Sequence, residues 1–289
     1  MLFLCLGNKI LWYFTASTFL MKSILPLFLL AVFFYNCTRS PYAATNKDYK
    51  RQVKQLANAL KQTPPKDSLP QLVTAWVGTT NFNMRKPNLV VIHHTAQNSC
   101  DQTLKTFTTP RTSVSAHYVI CKDGTVHHML NDMLRAWHAG VGKWGGNTDI
   151  NSSSIGIEID NNGIDTFATA QITTLVSLLA NLKKAYSIPT ANFIGHADIA
   201  PTRKNDPNVT FPWKTLADAG FGFWWSDTTG ITVPQSFNHL QALRIIGYDV
   251  KDSSAVIQTF NRKFLQQQGS GVLTDEGRKL LYTLYRKYE

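Results

Sequence analysis

The sequence predicts an α/β domain built on a mixed central β-sheet flanked by helices, followed by a small three-helix C-terminal domain. Three observations carry this. From Asn88 onward, short apolar runs rich in β-branched residues alternate with helical patterns, the texture of strands packed under helices. Two of those runs flank Lys122-Asp123-Gly124, a hairpin-type turn signal, so the sheet is not purely parallel. From about residue 228 the pattern becomes helical throughout.

The elements follow in order. Val53, Leu56, Ala57 and Leu60 have helical spacing, and Pro64-Pro65 stops that helix. Residues 89–92 form a short apolar run read as a buried strand. Ser99 can cap a short helix that Pro110 closes. Residues 118–121 and 125–129 make the hairpin, and residues 155–159 are a further strand. Ile172, Leu175, Val176, Leu179, Leu182 and Tyr186 trace one face of a long helix ended by Ile188-Pro189. Residues 193–195 are the last strand. Three helical patterns then span about 235–246, 253–267 and 274–288, joined at Gly247 and at 269–271.

The organisation is therefore a targeting segment over 1–44, an N-terminal arm over 45–79, a catalytic domain over 80–227 and the helical domain over 228–289. Met21-Lys22 precedes an apolar stretch at 24–35, which has the length of a signal-peptide core and is too short to span a bilayer. Translation is expected to start at Met21, with export as the outcome. Cys37 ends the apolar run, where a lipidated cysteine would attach the chain to a membrane, although Phe34-Tyr35-Asn36 is a poor version of such a site. An ordinary cleavage near Ala43 or Ala44 is the alternative. Cys100 and Cys121 can pair in an oxidising compartment, or remain two buried thiols. The formal charge of +11 biases the chain towards polyanions. No run of Lys/Arg is dense enough for nucleic acid, and Trp213, Trp224 and Trp225 are not interleaved with basic residues, so nucleic acid is not an expected partner.

Polar groups interrupt the apolar framework at three places. Ile92-His93-His94-Thr95 ends the first strand with two imidazoles, and Ser154-Ile155-Gly156-Ile157-Glu158-Ile159 carries a carboxylate inside another. The loop Gly195-His196-Ala197-Asp198-Ile199-Ala200-Pro201-Thr202-Arg203-Lys204-Asn205-Asp206-Pro207 packs an imidazole, a lysine and a carboxylate between stiffening prolines. A catalytic zinc needs three protein ligands and an open position, and His93, His196 and Asp206 can supply them. Side-chain alternation sends His93 and His94 to opposite faces, so one of the two joins the ion. A lone strand histidine is usually a core residue; two at strand ends, with Asp206 and Lys204 in a braced loop, point to metal. Burying Glu158 is costly unless it is paired or used, and desolvation would tune it as a general base. The Lys204 ammonium could stabilise an oxyanion formed when water attacks a carbonyl. Trp137, His138 and Arg203 are candidate substrate contacts. His117 is expected to pack beneath the site, and His127, His128 and His239 to be structural or solvated.

Val91-Ile92-His93-His94-Thr95-Ala96, Val114-Ser115-Ala116-His117-Tyr118, Arg135-Ala136-Trp137-His138-Ala139-Gly140, the run 154–159 and the stretch 196–213 occur in that order. The set resembles the zinc-dependent N-acetylmuramoyl-L-alanine amidases of the AmpD/AmiD type, which share a fold with peptidoglycan recognition proteins, over roughly residues 80–215. The resemblance implies His93, His196 and Asp206 as ligands of a Zn2+ cofactor, Glu158 as the catalytic glutamate and Lys204 as the catalytic lysine. The family commonly has Tyr at the place of His94, which selects His93. It implies hydrolysis of the amide between the lactyl group of N-acetylmuramic acid and L-alanine, with peptidoglycan or muropeptides as partners and a monomeric enzyme. The leader and C-terminal module are more similar to the exported AmiD branch, hence a periplasmic protein, anchored in the outer membrane if Cys37 is lipidated. Residues 228–289 resemble the small peptidoglycan-binding domain of that branch. Thr202 and Asn208 stand where the family usually has Gly, so the loop around Lys204 is expected to be shaped differently. The alternative is a non-catalytic peptidoglycan-binding receptor of the same fold; such binders typically lose a metal ligand, and this chain keeps all three candidates.

Overall fold

The computed structural model describes residues 40–61 and 77–289. The apolar leader, the start at Met21, Cys37 and the Pro64-Pro65 stop lie outside the described residues. The first helix, α1 (Ala43–Leu60), covers the spacing seen in the arm, and none of its residues is buried.

The second unit begins at Val77. Its strands are β1 (Leu89–His94), β2 (Tyr118–Ile120), β3 (Val126–His128), β4 (Ser154–Ile159) and β5 (Phe193–Gly195). They lie in the order β3-β2-β4-β1-β5, with β2, β4, β1 and β5 parallel and β3 antiparallel to β2. The sheet is thus mixed, as the hairpin signal requires. Gly124 turns the hairpin at φ +87, where a side chain would be strained, and the Asp123 carboxylate accepts the Thr125 amide at 2.8 Å.

Between the strands run α2 (Cys100–Thr108), α3 (Ile150–Ser153) and α4 (Thr169–Tyr186); α5 (His196–Ile199) and α6 (Trp213–Asp218) follow β5. The Ser99 hydroxyl accepts the Gln102 amide at 3.2 Å and starts α2 as expected. The sulfurs of Cys100 and Cys121 are bonded, tying the start of α2 to the end of β2. Leu175, Leu179 and Leu182 of α4 pack on Ile155, Ile157 and Ile159 of β4, together with Val90 and Ile92 of β1. Each fully buried leucine contributes roughly 1.5–3 kcal/mol. The opposite face of β1, Leu89 and Val91, packs against Ala139, Ile150, Ile194 and Ile199.

The C-terminal helices are α7 (His239–Ile246), α8 (Ser253–Phe260) and α9 (Asp275–Tyr285), with a π-helical turn, Asn261–Leu265, continuing α8. They start later or end sooner than the sequence pattern suggests. Asn238 accepts the Leu240 and Gln241 amides and fixes the start of α7, and Thr274 accepts the Gly277 amide and starts α9. Leu243, Ile246, Val256, Phe260, Leu281 and Leu284 give these helices an apolar core of their own.

His117 packs beneath the site as expected, fully buried with its ring 6.0 Å from that of His138. Its Nδ1 accepts the Gly156 amide at 3.0 Å and its Nε2–H donates to the Leu134 carbonyl at 3.1 Å. Both nitrogens are satisfied by the neutral ring, so a second proton would orphan the Gly156 amide. Burial lowers its pKa to about 4, and the nearby Arg85 guanidinium acts in the same direction. The folded protein therefore refuses a proton that the unfolded chain accepts from about pH 6.5 downward. Stability is fully present above pH 6.5 and falls as the pH approaches 4, with this histidine contributing roughly 3 kcal/mol of the loss. Denaturant titrations from pH 7 to 4 should show the decline, and His117→Gln should flatten it while lowering stability at pH 7. Identical slopes in the two proteins would refute this origin.

Candidate metal centre and active site

Strand periodicity builds the site. β1 and β4 pair with His93 opposite Glu158, so the two side chains emerge on one face. On that face β1 carries Leu89, Val91 and His93, and β4 carries Ser154, Gly156 and Glu158. The intervening isoleucines of β4 belong to the core under α4. His196 opens α5 immediately after β5, which pairs with β1. The Ala197 amide donates to the Asp206 carbonyl at 2.8 Å, returning the loop so that Asp206 lies beside His196.

The three candidate ligands converge. His93 Nδ1 lies 2.9 Å from His196 Nδ1 and 3.2 Å from Asp206 Oδ2, and His196 Nδ1 is 3.0 Å from the same oxygen. All three residues are buried. The proton positions follow from the partners of the other nitrogens. His196 Nε2–H donates to the Ala139 carbonyl at 3.0 Å, which leaves its Nδ1 with a bare lone pair. The Ser154 hydroxyl donates to the Ile150 carbonyl at 2.6 Å, so its oxygen accepts from His138 Nε2–H at 3.1 Å. His138 Nδ1 is then an acceptor and takes Nε2–H of His93 at 3.0 Å, leaving His93 Nδ1 bare as well. Burial first, and the neighbouring imidazoles second, hold His93 down at about 4 and His138 well below its usual value, so both rings are neutral. Two lone pairs and a carboxylate oxygen therefore face one another without a proton between them.

That donor set fits a zinc ion. Bonds of about 2.0–2.1 Å at tetrahedral angles set neighbouring ligand atoms about 3.3 Å apart, close to the distances found. The donors on the far nitrogens are those that orient metal-bound histidines.

Glu158 stands beside the cluster. Its Oε1 is 4.0 Å from His93 Nδ1, and its buried Oε2 has no hydrogen-bond partner among the described residues. Burial, and after it the Asp206 carboxylate, push Glu158 up to about 8, with the Lys204 charge opposing the rise. Lys204 is thus near enough to act on both Glu158 and His93, and it is half-buried.

The remaining candidates divide. His94 points to the other face, where its Nδ1 accepts the Asn208 amide at 3.0 Å and anchors the chain just past Asp206. Trp137 is 54% exposed. His138, expected as a substrate contact, is buried with its nitrogens against His93 and Ser154, the position of a support for His93. Arg203 is exposed, but its Nη2 donates to the Ala139 and Val141 carbonyls at 2.8 and 2.6 Å, so this arm braces the carbonyl that orients His196. Neither Thr202 nor Asn208 sits at positive φ, so the loop accommodates both without the strain a glycine would relieve. Sequence reasoning missed Ser154 and Gly156 as parts of the site. A Cβ on Gly156 would lie 2.4 Å from the His138 ring, and this glycine is what lets that ring slide under His93. The alternation of Ser154, Gly156 and Glu158 was the available signal.

The sequence and the overall fold are similar to those of known proteins. A family model described as N-acetylmuramoyl-L-alanine amidase (Amidase_2) matches residues 83–209. N-acetylmuramoyl-L-alanine amidase AmiD of Escherichia coli K12 is 32% identical over 232 residues, covering 69% of this chain and 83% of AmiD. 1,6-anhydro-N-acetylmuramyl-L-alanine amidase AmpD of the same organism is 39% identical over 100 residues, 35% of this chain and 55% of AmpD. Among solved structures, Escherichia coli AmiD in complex with the substrate anhydro-N-acetylmuramic acid-L-Ala-D-gamma-Glu-L-Lys aligns with a TM-score of 0.64 and 30% identity over 73% of this chain and 93% of that one. AmpDH3 from Pseudomonas aeruginosa aligns with a TM-score of 0.65 and 29% identity over 78% and 99%. The chain belongs to the N-acetylmuramoyl-L-alanine amidase family, as an amidase of the AmpD/AmiD type.

Proposed function

We propose that this protein is a zinc-dependent amidase that hydrolyses the bond between the lactyl group of N-acetylmuramic acid and L-alanine in peptidoglycan or its muropeptide fragments. The observation that carries the reading is the convergence of His93 Nδ1, His196 Nδ1 and Asp206 Oδ2 with no proton to share. These residues would hold the ion, which when bound supplies Lewis-acid chemistry, polarising a carbonyl and acidifying water.

The chain's own groups do the rest. Glu158 takes the proton of the attacking water at its unpartnered Oε2 and returns it to the leaving nitrogen of L-alanine. Its raised pKa lets it both accept and release that proton near neutrality. The Lys204 ammonium offsets the charge that develops on the carbonyl oxygen. The exposed Trp137 ring offers an apolar face to the sugar or stem peptide. Two solved relatives carry muropeptide ligands, an anhydro-N-acetylmuramic acid tripeptide in AmiD and an anhydromuramic pentapeptide in AmpDH3, which supports ligands of that class here. The Cys100–Cys121 disulfide suits an oxidising compartment and supports export, with Cys37 as a lipid attachment point. Among the described residues, no helix is long and apolar enough to cross a membrane. The helices of residues 228–289 are assigned a peptidoglycan-binding role.

Purified protein incubated with cell-wall sacculi should release stem peptides beginning at L-alanine, identified by mass spectrometry, and a chelator should stop the release. Binding to sacculi without release would instead identify a receptor. Asp206→Ala should lose both metal, by elemental analysis, and turnover; full activity in a metal-free Asp206→Ala protein would overturn the mechanism. Glu158→Gln should retain zinc while turnover falls by roughly 10²-fold or more. Wild-type turnover in that variant would remove Glu158 from proton transfer.

A further inference from the structure

The C-terminal helices reach the metal site from behind. Asp198 lies two residues past His196, on the same turn of α5, and is buried. Its Oδ2 accepts the Gly195 amide at 2.7 Å and the Lys263 ammonium at 2.5 Å, while its Oδ1 accepts the Tyr248 hydroxyl at 2.7 Å. Both side-chain donors come from the C-terminal region, Tyr248 just past α7 and Lys263 on the π-helical turn after α8. Such π turns are frequent at functional sites.

Lys263 also touches the other ligand-bearing segment. Its Nζ sits 4.1 Å from the centroid of the Trp213 ring. Trp213 follows Asp206 in the chain and packs edge-on against Gly195, where an added Cβ would lie 3.0 Å from the indole. One buried ammonium thus contacts the segment that presents His196 and the segment that leads away from Asp206. A buried ion pair is a poor source of stability, since apolar residues of the same size often serve as well or better. What such a pair does supply is a fixed geometry, with an acceptor on Asp198 committed to each of three donors.

We propose that Lys263 and Tyr248 are positioning residues of the amidase: acting through Asp198, they set the placement of His196 beside His93 and Asp206, so that the C-terminal helices support the metal centre in addition to any hold on the wall. This rests on the zinc-amidase reading above.

The test uses the full chain with Lys263→Met, Lys263→Arg and Tyr248→Phe. The readouts are zinc affinity by competition with a chromophoric chelator, kcat and KM on a soluble muropeptide, and thermal unfolding. Lys263→Met should lose about 10- to 100-fold in zinc affinity and a comparable factor in kcat, as other losses of support behind metal ligands do, with KM on the soluble substrate unchanged. Lys263→Arg, which keeps the charge and the donor, should recover most of both. Tyr248→Phe should fall between wild type and Lys263→Met. Folded variants that bind zinc and turn over the soluble substrate like wild type, and lose only affinity for intact sacculi, would overturn the proposal and leave the helices as a tether. If Lys263→Met does not fold, Tyr248→Phe decides, because it keeps the ion pair; unchanged zinc affinity and kcat there count against the proposal. A wild-type protein without turnover would defeat the amidase reading alone, since the zinc-affinity comparison still stands.

Discussion

Three potential metal donors, two imidazole nitrogens and a carboxylate oxygen, are held within 2.9–3.2 Å of one another, and much of the surrounding structure holds them there. Buried groups of like polarity at such distances repel, and the arrangement becomes favourable when a cation sits among them. The two imidazoles are aimed by different devices. His196 is fixed in one step by the Ala139 carbonyl, which Arg203 also grips. His93 is fixed through a longer relay, His138 to Ser154 to the Ile150 carbonyl, in which each proton has a single place to go. Both devices end on backbone carbonyls of residues 139–150, so this stretch is a common footing for two ligands that are 103 residues apart in sequence.

The period of the strand separates stability from chemistry. In β4, Ile155, Ile157 and Ile159 feed the core beneath α4, while Ser154, Gly156 and Glu158 face the site. The two tasks interleave at every second residue, so the register of β1 against β4 is constrained from both faces. A slip by one residue would place His94 on the site face if β1 moved, or turn Glu158 under α4 if β4 moved. The antiparallel β3 and the disulfide at the end of β2 close the far edge of the same sheet.

Much of the site was legible in the sequence because it violates a cost rule. Imidazoles and a carboxylate inside or at the ends of apolar runs are expensive to bury, and His93, Glu158 and His196 stood out for that reason. Asp206 and Lys204 were legible through the proline-braced loop. The support that His138 gives His93 is not legible in the sequence, because its loop has no periodicity and its place under His93 depends on a missing side chain at Gly156, on another strand. The Lys263–Asp198 pair was invisible for a similar reason: 65 residues separate the partners, and each alone reads as a solvated charge. The start of α7 lies four residues beyond the expected one because apolar spacing marks the buried face and not the cap, which Asn238 supplies. Spacing likewise left open the Cys100–Cys121 pairing, which depends on how α2 lies against β2.

Asp206 and Glu158 show how environment divides labour between two carboxylates. Both are buried, and both lie on the His93 side of the sheet. Asp206 reaches the two bare imidazole nitrogens with one oxygen, so a cation held among the three is what would balance its charge. Glu158, one methylene longer and rooted on the paired strand, stops 4.0 Å short of the same nitrogen. Its second oxygen is left without a partner, and burial makes its charge costly. A carboxylate flanked by lone pairs is suited to hold a cation; one whose ionised and protonated forms are closely balanced moves protons. Exchanging the two acids would keep the composition and the net charge of the site, yet each would occupy an environment suited to the other's task. The assignment of ligand and base therefore follows from the register of β1 on β4 and from the loop that the Ala197 amide closes onto the Asp206 carbonyl.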